Sequence, residues 1–151
     1  MPLYPFHTNP PEVSRFLKLI PSIENKDLCL DASSVKALGF SSRSSSYLID
    51  TLHKLGFVDN QGLPSTVLEQ FVSSQERGLV LASAIKQAYA GLFKRMVYPY
   101  LEADDEIISF FKQSEVKISS KDLNLLLATF RILCDLADFQ DLAGGVPGRE
   151  E

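Results

Sequence analysis

Apolar positions recur at helical spacing along most of the chain. Val13, Phe16, Leu17 and Ile20 form an i, i+3, i+4, i+7 stripe. It predicts a first helix over residues 12–20, stopped by Pro21. Cys29 and Leu30 suit a minimal strand. Asp31 is placed to cap a short second helix through Leu38, closed by Gly39. Ser42 is placed to cap a third helix running to Leu55, with Gly56 as its terminator. Phe57-Val58 and Leu63, on either side of Asp59-Asn60-Gln61-Gly62, then read as a short β-hairpin that Pro64 ends.

Thr66 with Glu69, and Ser73 with Glu76, have capping-box spacing. The second pair predicts a long helix from Ser73 to about Met96, with Leu81, Ala82, Ile85, Tyr89, Leu92 and Phe93 on one broad face. Tyr98-Pro99-Tyr100 breaks it. Asp104 or Asp105 starts a helix through Phe111, and Ser119 or Ser120 starts the last, through about Asp138. The expected architecture is mainly α. A winged helix-turn-helix-like part with a short hairpin occupies residues 12–72, behind an extended proline-rich arm over 1–11. A long central helix and a second, degenerate helix-turn-helix-like part occupy 73–139 and share its core, and a polar tail occupies 140–151. The competing reading is an ordinary helical bundle with one hairpin. Leu48, Leu52 and Leu55 are expected to be buried with Phe16, Val35 and Leu38.

The chain echoes itself. Ser41-Ser42-Arg43 reappears as Ser119-Ser120-Lys121, and Leu48, Ile49, Thr51 and Leu55 meet Leu126, Leu127, Thr129 and Leu133 without a gap. This is either a degenerate duplication or two helices sharing a serine cap. The faces opposite the two cores differ. Arg43, Tyr47, Asp50 and Lys54 point away from the first core, flanked by Ser44, Ser46 and Thr51. Their counterparts are Lys121, Leu125, Ala128 and Ile132, and a helix apolar nearly all round is buried on both sides.

At these residues the chain resembles a known family. The likeness runs from about Tyr4 to Phe139. It rests on the proline-rich start, Leu38-Gly39-Phe40 followed by serines, and Leu52-His53-Lys54-Leu55-Gly56-Phe57-Val58-Asp59. It continues through Gly62-Leu63-Pro64, Ala84-Ile85-Lys86-Gln87-Ala88-Tyr89 with Leu92-Phe93, and Thr129-Phe130 with Leu133-Cys134. These resemble a prokaryotic winged-helix-like domain family of unknown function (domain-of-unknown-function family 5343). The resemblance implies a winged-helix fold and a prokaryotic or phage origin, and transfers no catalytic residues.

Composition narrows the function. The 151 residues are 45% hydrophobic and 23% charged, as in ordinary globular domains. No basic-then-apolar leader opens the chain, and no apolar run approaches a bilayer's thickness. The expected address is the cytoplasm. Two cysteines, Cys29 and Cys134, read as unbonded thiols in a reducing compartment.

The net charge of −4 argues against a bulk polyanion binder. Residues 101–151 hold five basic and eleven acidic groups, whereas 61–100 hold four and two. A polyanion must therefore approach the first hundred residues, where Lys86, Lys94 and Arg95 could add phosphate contacts. Glu102, Asp104, Asp105 and Glu106 lack the spacing of an EF-hand and suit a helix N-terminus instead. His53 has no acid or thiol partner at a recognisable spacing, and the glycines near the C-terminus lack a phosphate loop's lysine. No catalytic residue, metal or cofactor is expected.

The candidate site is the face Arg43, Ser44, Tyr47, Thr51 and Lys54. In helix-turn-helix proteins the equivalent helix enters the major groove, where Arg reads guanine and Ser, Thr and Lys take phosphates or bases. One function is therefore double-stranded DNA binding by a small regulatory protein. The alternative is a protein-interaction or adaptor module that binds no nucleic acid, favoured by the acidic charge, by Asp50 and by a wing without Lys or Arg. The apolar face Leu125, Ala128 and Ile132 is the candidate surface for a protein partner or homodimer.

Overall fold

The described residues of the computed structural model are 3–22, 31–59, 61–73, 75–114 and 117–139. Helices dominate them: α1 (Pro11–Leu19), α2 (Ala32–Ala37), α3 (Ser42–Lys54), α4 (Thr66–Ser73), α5 (Arg77–Ala88), α6 (Ala90–Arg95), α7 (Asp104–Ser114) and α8 (Ser120–Leu136). Short 3-10 turns follow α1 (Ile20–Ser22) and α6 (Pro99–Leu101). The suggested strand at Cys29 and Leu30, and the tail over 140–151, lie outside the described residues.

Local chemistry explains most boundaries. Pro11 at the first turn of α1 lacks an N–H that would have no partner there anyway. Asp31 caps α2, its Oδ1 accepting from Ser34 N at 2.9 Å. Gly39 and Gly56 follow α2 and α3 at φ +104° and +78°, backbone that side chains resist. The cap of α3 is Ser41, one residue ahead of the expected Ser42; its Oγ accepts from Ser44 N at 3.1 Å. Ser119 caps α8 in the same way, accepting from Asp122 N at 3.1 Å. The echo extends further inside both helices. Thr51 Oγ1 donates to Tyr47 O at 2.9 Å and Thr129 Oγ1 to Leu125 O at 2.8 Å, and both threonines are buried.

The expected wing is not there. Val58 and Pro64 make one isolated antiparallel bridge, and the described residues contain no strand or sheet. Asp59 is the reason. Its Oδ1 accepts from Gln61 N at 2.8 Å and Leu63 N at 3.0 Å, so a side chain closes the turn. The pairing holds through Asp59 N to Leu63 O at 3.0 Å and Ser65 N to Phe57 O at 2.8 Å, and stops there because Ser65 turns at once into α4, its Oγ accepting from Leu68 N at 3.3 Å. The winged reading is therefore corrected to a mainly helical chain.

The long central helix is also corrected. It divides at Tyr89, whose backbone leaves helical values (φ −112°, ψ +37°) between α5 and α6. The Ser73–Glu76 capping box does not form: Glu76 makes no side-chain cap bond. Instead the Arg77 guanidinium closes α4, donating from Nε to Phe71 O and from Nη2 to Val72 O, both at 3.0 Å.

One hydrophobic core joins both halves. Phe16, Val35, Leu48, Leu52 and Leu55 are buried in it together with Ile85, Tyr89, Phe111, Phe130 and Leu133; Leu38 packs against it half-buried. Helix α8 packs against α1, α5 and α7. Arg131 ties that helix to the start of α7, donating from Nη2 to Glu102 O at 2.6 Å and pairing with Asp104 Oδ1 at 2.8 Å.

Candidate functional site

Much of the candidate face of α3 is covered, although Ser42, Arg43 and Ser46 in its N-terminal half are exposed. Residues 3–10, the proline-rich arm, lie across it. Of the five residues on this face, only Arg43 is exposed. Ser44 is 4% exposed and Thr51 2%. Tyr47 is half-buried, its ring 5.5 Å from that of Phe6 and 5.3 Å from that of His7. Lys54 Nζ pairs with Asp50 Oδ2 at 2.7 Å and donates to Tyr4 O at 3.3 Å.

The arm is held at two points. At the outer one, the Tyr4 ring stacks on Tyr89 (centroids 5.5 Å apart, planes at 3°) and leans on Phe110 and Phe111 at 5.7 and 5.5 Å. Tyr89 is fully buried, and burial holds its phenol well above the usual tyrosine range. Its hydroxyl has no hydrogen-bond partner among the described residues. Gly91 borders this aromatic pocket: a Cβ there would lie 3.2 Å from Tyr4 Oη.

At the inner point, His7 is 1% exposed. The Asn9 N–H donates to His7 Nδ1 at 2.7 Å. Nδ1 is thus an acceptor, and the ring proton sits on Nε2, facing Ser44 Oγ at 2.8 Å. The Ser44 hydroxyl in turn donates to Glu12 Oε1. Glu12 also pairs with Arg15, Oε2 to Nη2, at 3.5 Å.

This chain of donors runs opposite to that of a serine nucleophile. There, His Nε2 is bare and takes the serine proton, while Nδ1–H faces the carboxylate. Here the histidine donates to the serine and the serine to the carboxylate. The arrangement fastens the arm to α1 and α3.

Burial lowers the His7 pKa, against a smaller upward pull from Glu12. The unfolded chain therefore takes up the proton first as pH falls. The latch contributes fully above the unfolded value, about 6.5, and its contribution is lost as pH falls through the folded value. Urea denaturation should show a stability falling between about pH 7.5 and pH 5.8, and His7→Asn, whose Oδ1 can still accept from Asn9 N–H, should flatten that slope. Parallel slopes in the two proteins would exclude His7 as the titrating group.

The other candidate residues are scattered. Leu125, Ala128 and Ile132 are all half-buried, and Leu125 and Ile132 pack against the core. Lys94 and Arg95 are exposed, Arg95 donating to Gln113 Oε1 at 3.1 Å. No group of metal-ligating side chains occurs among the described residues. Cys134 is a free thiol that burial pushes up to about 12, which makes it a poor nucleophile; Cys29 lies outside the described residues. No helix among the described residues is long and apolar enough to cross a membrane.

Tyr4, Phe6, His7 and Glu12 were not singled out by sequence. The available signal is the density of rings in the extended arm, since an exposed arm has no use for three aromatic side chains in four residues. Comparison with curated proteins and with solved structures finds no match. A family model, described as a family of unknown function (DUF5343), matches residues 9–143 and so spans α1 to α8, and the chain belongs to that family.

Proposed function

We propose that the chain is a small, non-catalytic protein-interaction module that does not read duplex DNA through α3. One observation carries this: the arm takes the place that a DNA groove would need. Ser44 and Thr51 are covered, Lys54 is committed to Asp50 and Tyr4, and of the five candidate residues Arg43 alone remains exposed. The net charge of −4 offers little to offset such a loss. The donor order through His7, Ser44 and Glu12 supports the non-catalytic part. A prokaryotic, cytoplasmic setting belongs to the same reading, supported by the family resemblance and the free thiol.

The test is a fluorescence-anisotropy titration of labelled random duplexes and native genomic fragments at low salt. The expected result is no salt-dependent binding. Binding that weakens steeply with salt would overturn the reading. If Arg43→Ala with Lys54→Ala then abolished it, α3 would be the DNA contact; if not, the contact would lie elsewhere on the chain.

A further inference from the structure

We propose that the arm groove is an exchange interface, in which residues 3–10 of one copy seat in the groove of a second copy and the two chains pair by swapping arms. The proposal rests on the interaction-module reading and names its partner.

The groove recognises the arm through side chains: Tyr4 enters the pocket of Tyr89, Phe110 and Phe111, Phe6 meets Tyr47, and His7 meets Ser44. An arm from another copy carries the same groups and makes the same contacts, so exchange needs no new chemistry. An empty groove would bare the rings of Tyr47, Tyr89, Phe110 and Phe111, and an apolar patch of that kind calls for a cover. The cover that fits is this arm sequence.

The joint between arm and body has a second setting open to it. Pro10 has helical backbone angles (φ −52°, ψ −35°) and is followed by Pro11 at the start of α1. A residue before proline favours extended backbone, and an extended Pro10 would lead the arm away from its own α3. The inner tie of the closed setting is the His7 latch. His7 is faced by Glu12 of α1, which Arg15 pairs, by Ser44 and Tyr47 of α3, and by the Asn9 amide of the joint. Proton uptake on His7 Nδ1 would set two donors, that N–H and the Asn9 N–H, against each other.

The cis arm competes at an effective concentration on the order of a millimolar. Dilute protein therefore stays closed, and exchange shows in concentrated protein or after the latch is loosened. The experiment holds the full chain at near-millimolar concentration and about pH 6, above its isoelectric point of about 5.2, returns it to neutral pH, and measures mass by size exclusion with light scattering.

A species of twice the 16.8 kDa chain mass is expected, and Tyr4→Ala with Phe6→Ala should reduce it at least about tenfold, a shift of roughly 1.4 kcal/mol. That arm variant should also pair with Gly91→Val, which crowds the Tyr4 pocket, although each alone stays monomeric. One intact arm and one intact groove then remain between them. As a check that does not depend on dimer yield, a labelled peptide of residues 1–10 should bind the full-length arm variant.

Wild type that stays monomeric throughout would overturn the proposal. So would a dimer indifferent to Tyr4→Ala with Phe6→Ala, a mixture that fails to pair, or a peptide that does not bind. A chain that neither dimerises nor binds DNA loses arm exchange and keeps the interaction reading. A chain that binds DNA loses that reading whether or not it dimerises.

Discussion

Leu52→Ala should lower unfolding stability by about 2–5 kcal/mol, the range of large-to-small changes in tight cores. Leu52 is fully buried on the inner face of α3, in one cluster with Leu48, Leu55, Phe16 and Val35. Truncation removes the hydrophobic transfer of the lost carbons and leaves a void. Its walls belong to helices capped and closed at Asp31, Gly39, Ser41 and Gly56, so they collapse little into it. In a chain of 151 residues each kilocalorie shifts the thermal midpoint by about 2–4 °C. Urea denaturation with an unchanged slope would measure the loss directly. A loss under about 0.5 kcal/mol, within the range of surface substitutions, would mean that this face of α3 does not pack as described.

Gly78→Ala should also destabilise, by about 1–3 kcal/mol, although alanine is the better helix former. Gly78 lies in the first turn of α5, and its carbonyl accepts from Asp138 N at 2.8 Å. A Cβ there would stand 2.9 Å from Asp138 Cβ and 3.0 Å from Asp138 N. These atoms cannot swing aside as a side-chain tip can. The chain beyond α8 must shift, and the hydrogen bond goes with it. Hydrogen exchange should therefore speed up at the amide of Asp138 more than in α3. Equal or greater stability in the variant would show that residues 137–139 yield freely. Gly91→Ala is the informative contrast, because its 3.2 Å neighbour is the far end of Tyr4, which can tilt.

The helices are legible in the sequence because their determinants are local. The Val13, Phe16, Leu17 stripe, the cap at Asp31 and the serine before α8 each act within a few residues, and each stands where the pattern puts it. The hairpin stays at one bridge for an equally local but less visible reason: the Asp59 carboxylate takes the Leu63 N–H and the Gly62 N–H takes the Asp59 carbonyl, the two groups that would have paired with each other. The division of α5 from α6 has no local cue, since Ala88, Tyr89 and Ala90 are all compatible with helix. It coincides with the site where the Tyr89 ring is packed between Tyr4 and Phe130, with centroids 5.5 and 4.8 Å away. The polar face of α3 was legible as a polar face, and its serine and threonine do make hydrogen bonds. What covers it was not, because His7 meets Ser44 across 37 residues and Tyr4 meets Lys54 across 50. Periodicity within a helix carries no information about such pairings.

The seating of Tyr4 against Phe110 and Phe111 has a consequence for biosynthesis. The arm leaves the ribosome before its pocket does, because that pocket is completed by residues more than a hundred positions later. At about 5–20 residues per second of translation, Tyr4 waits roughly 5–20 s before its own pocket exists. Through that interval the Tyr4 ring has no pocket on its own chain to enter.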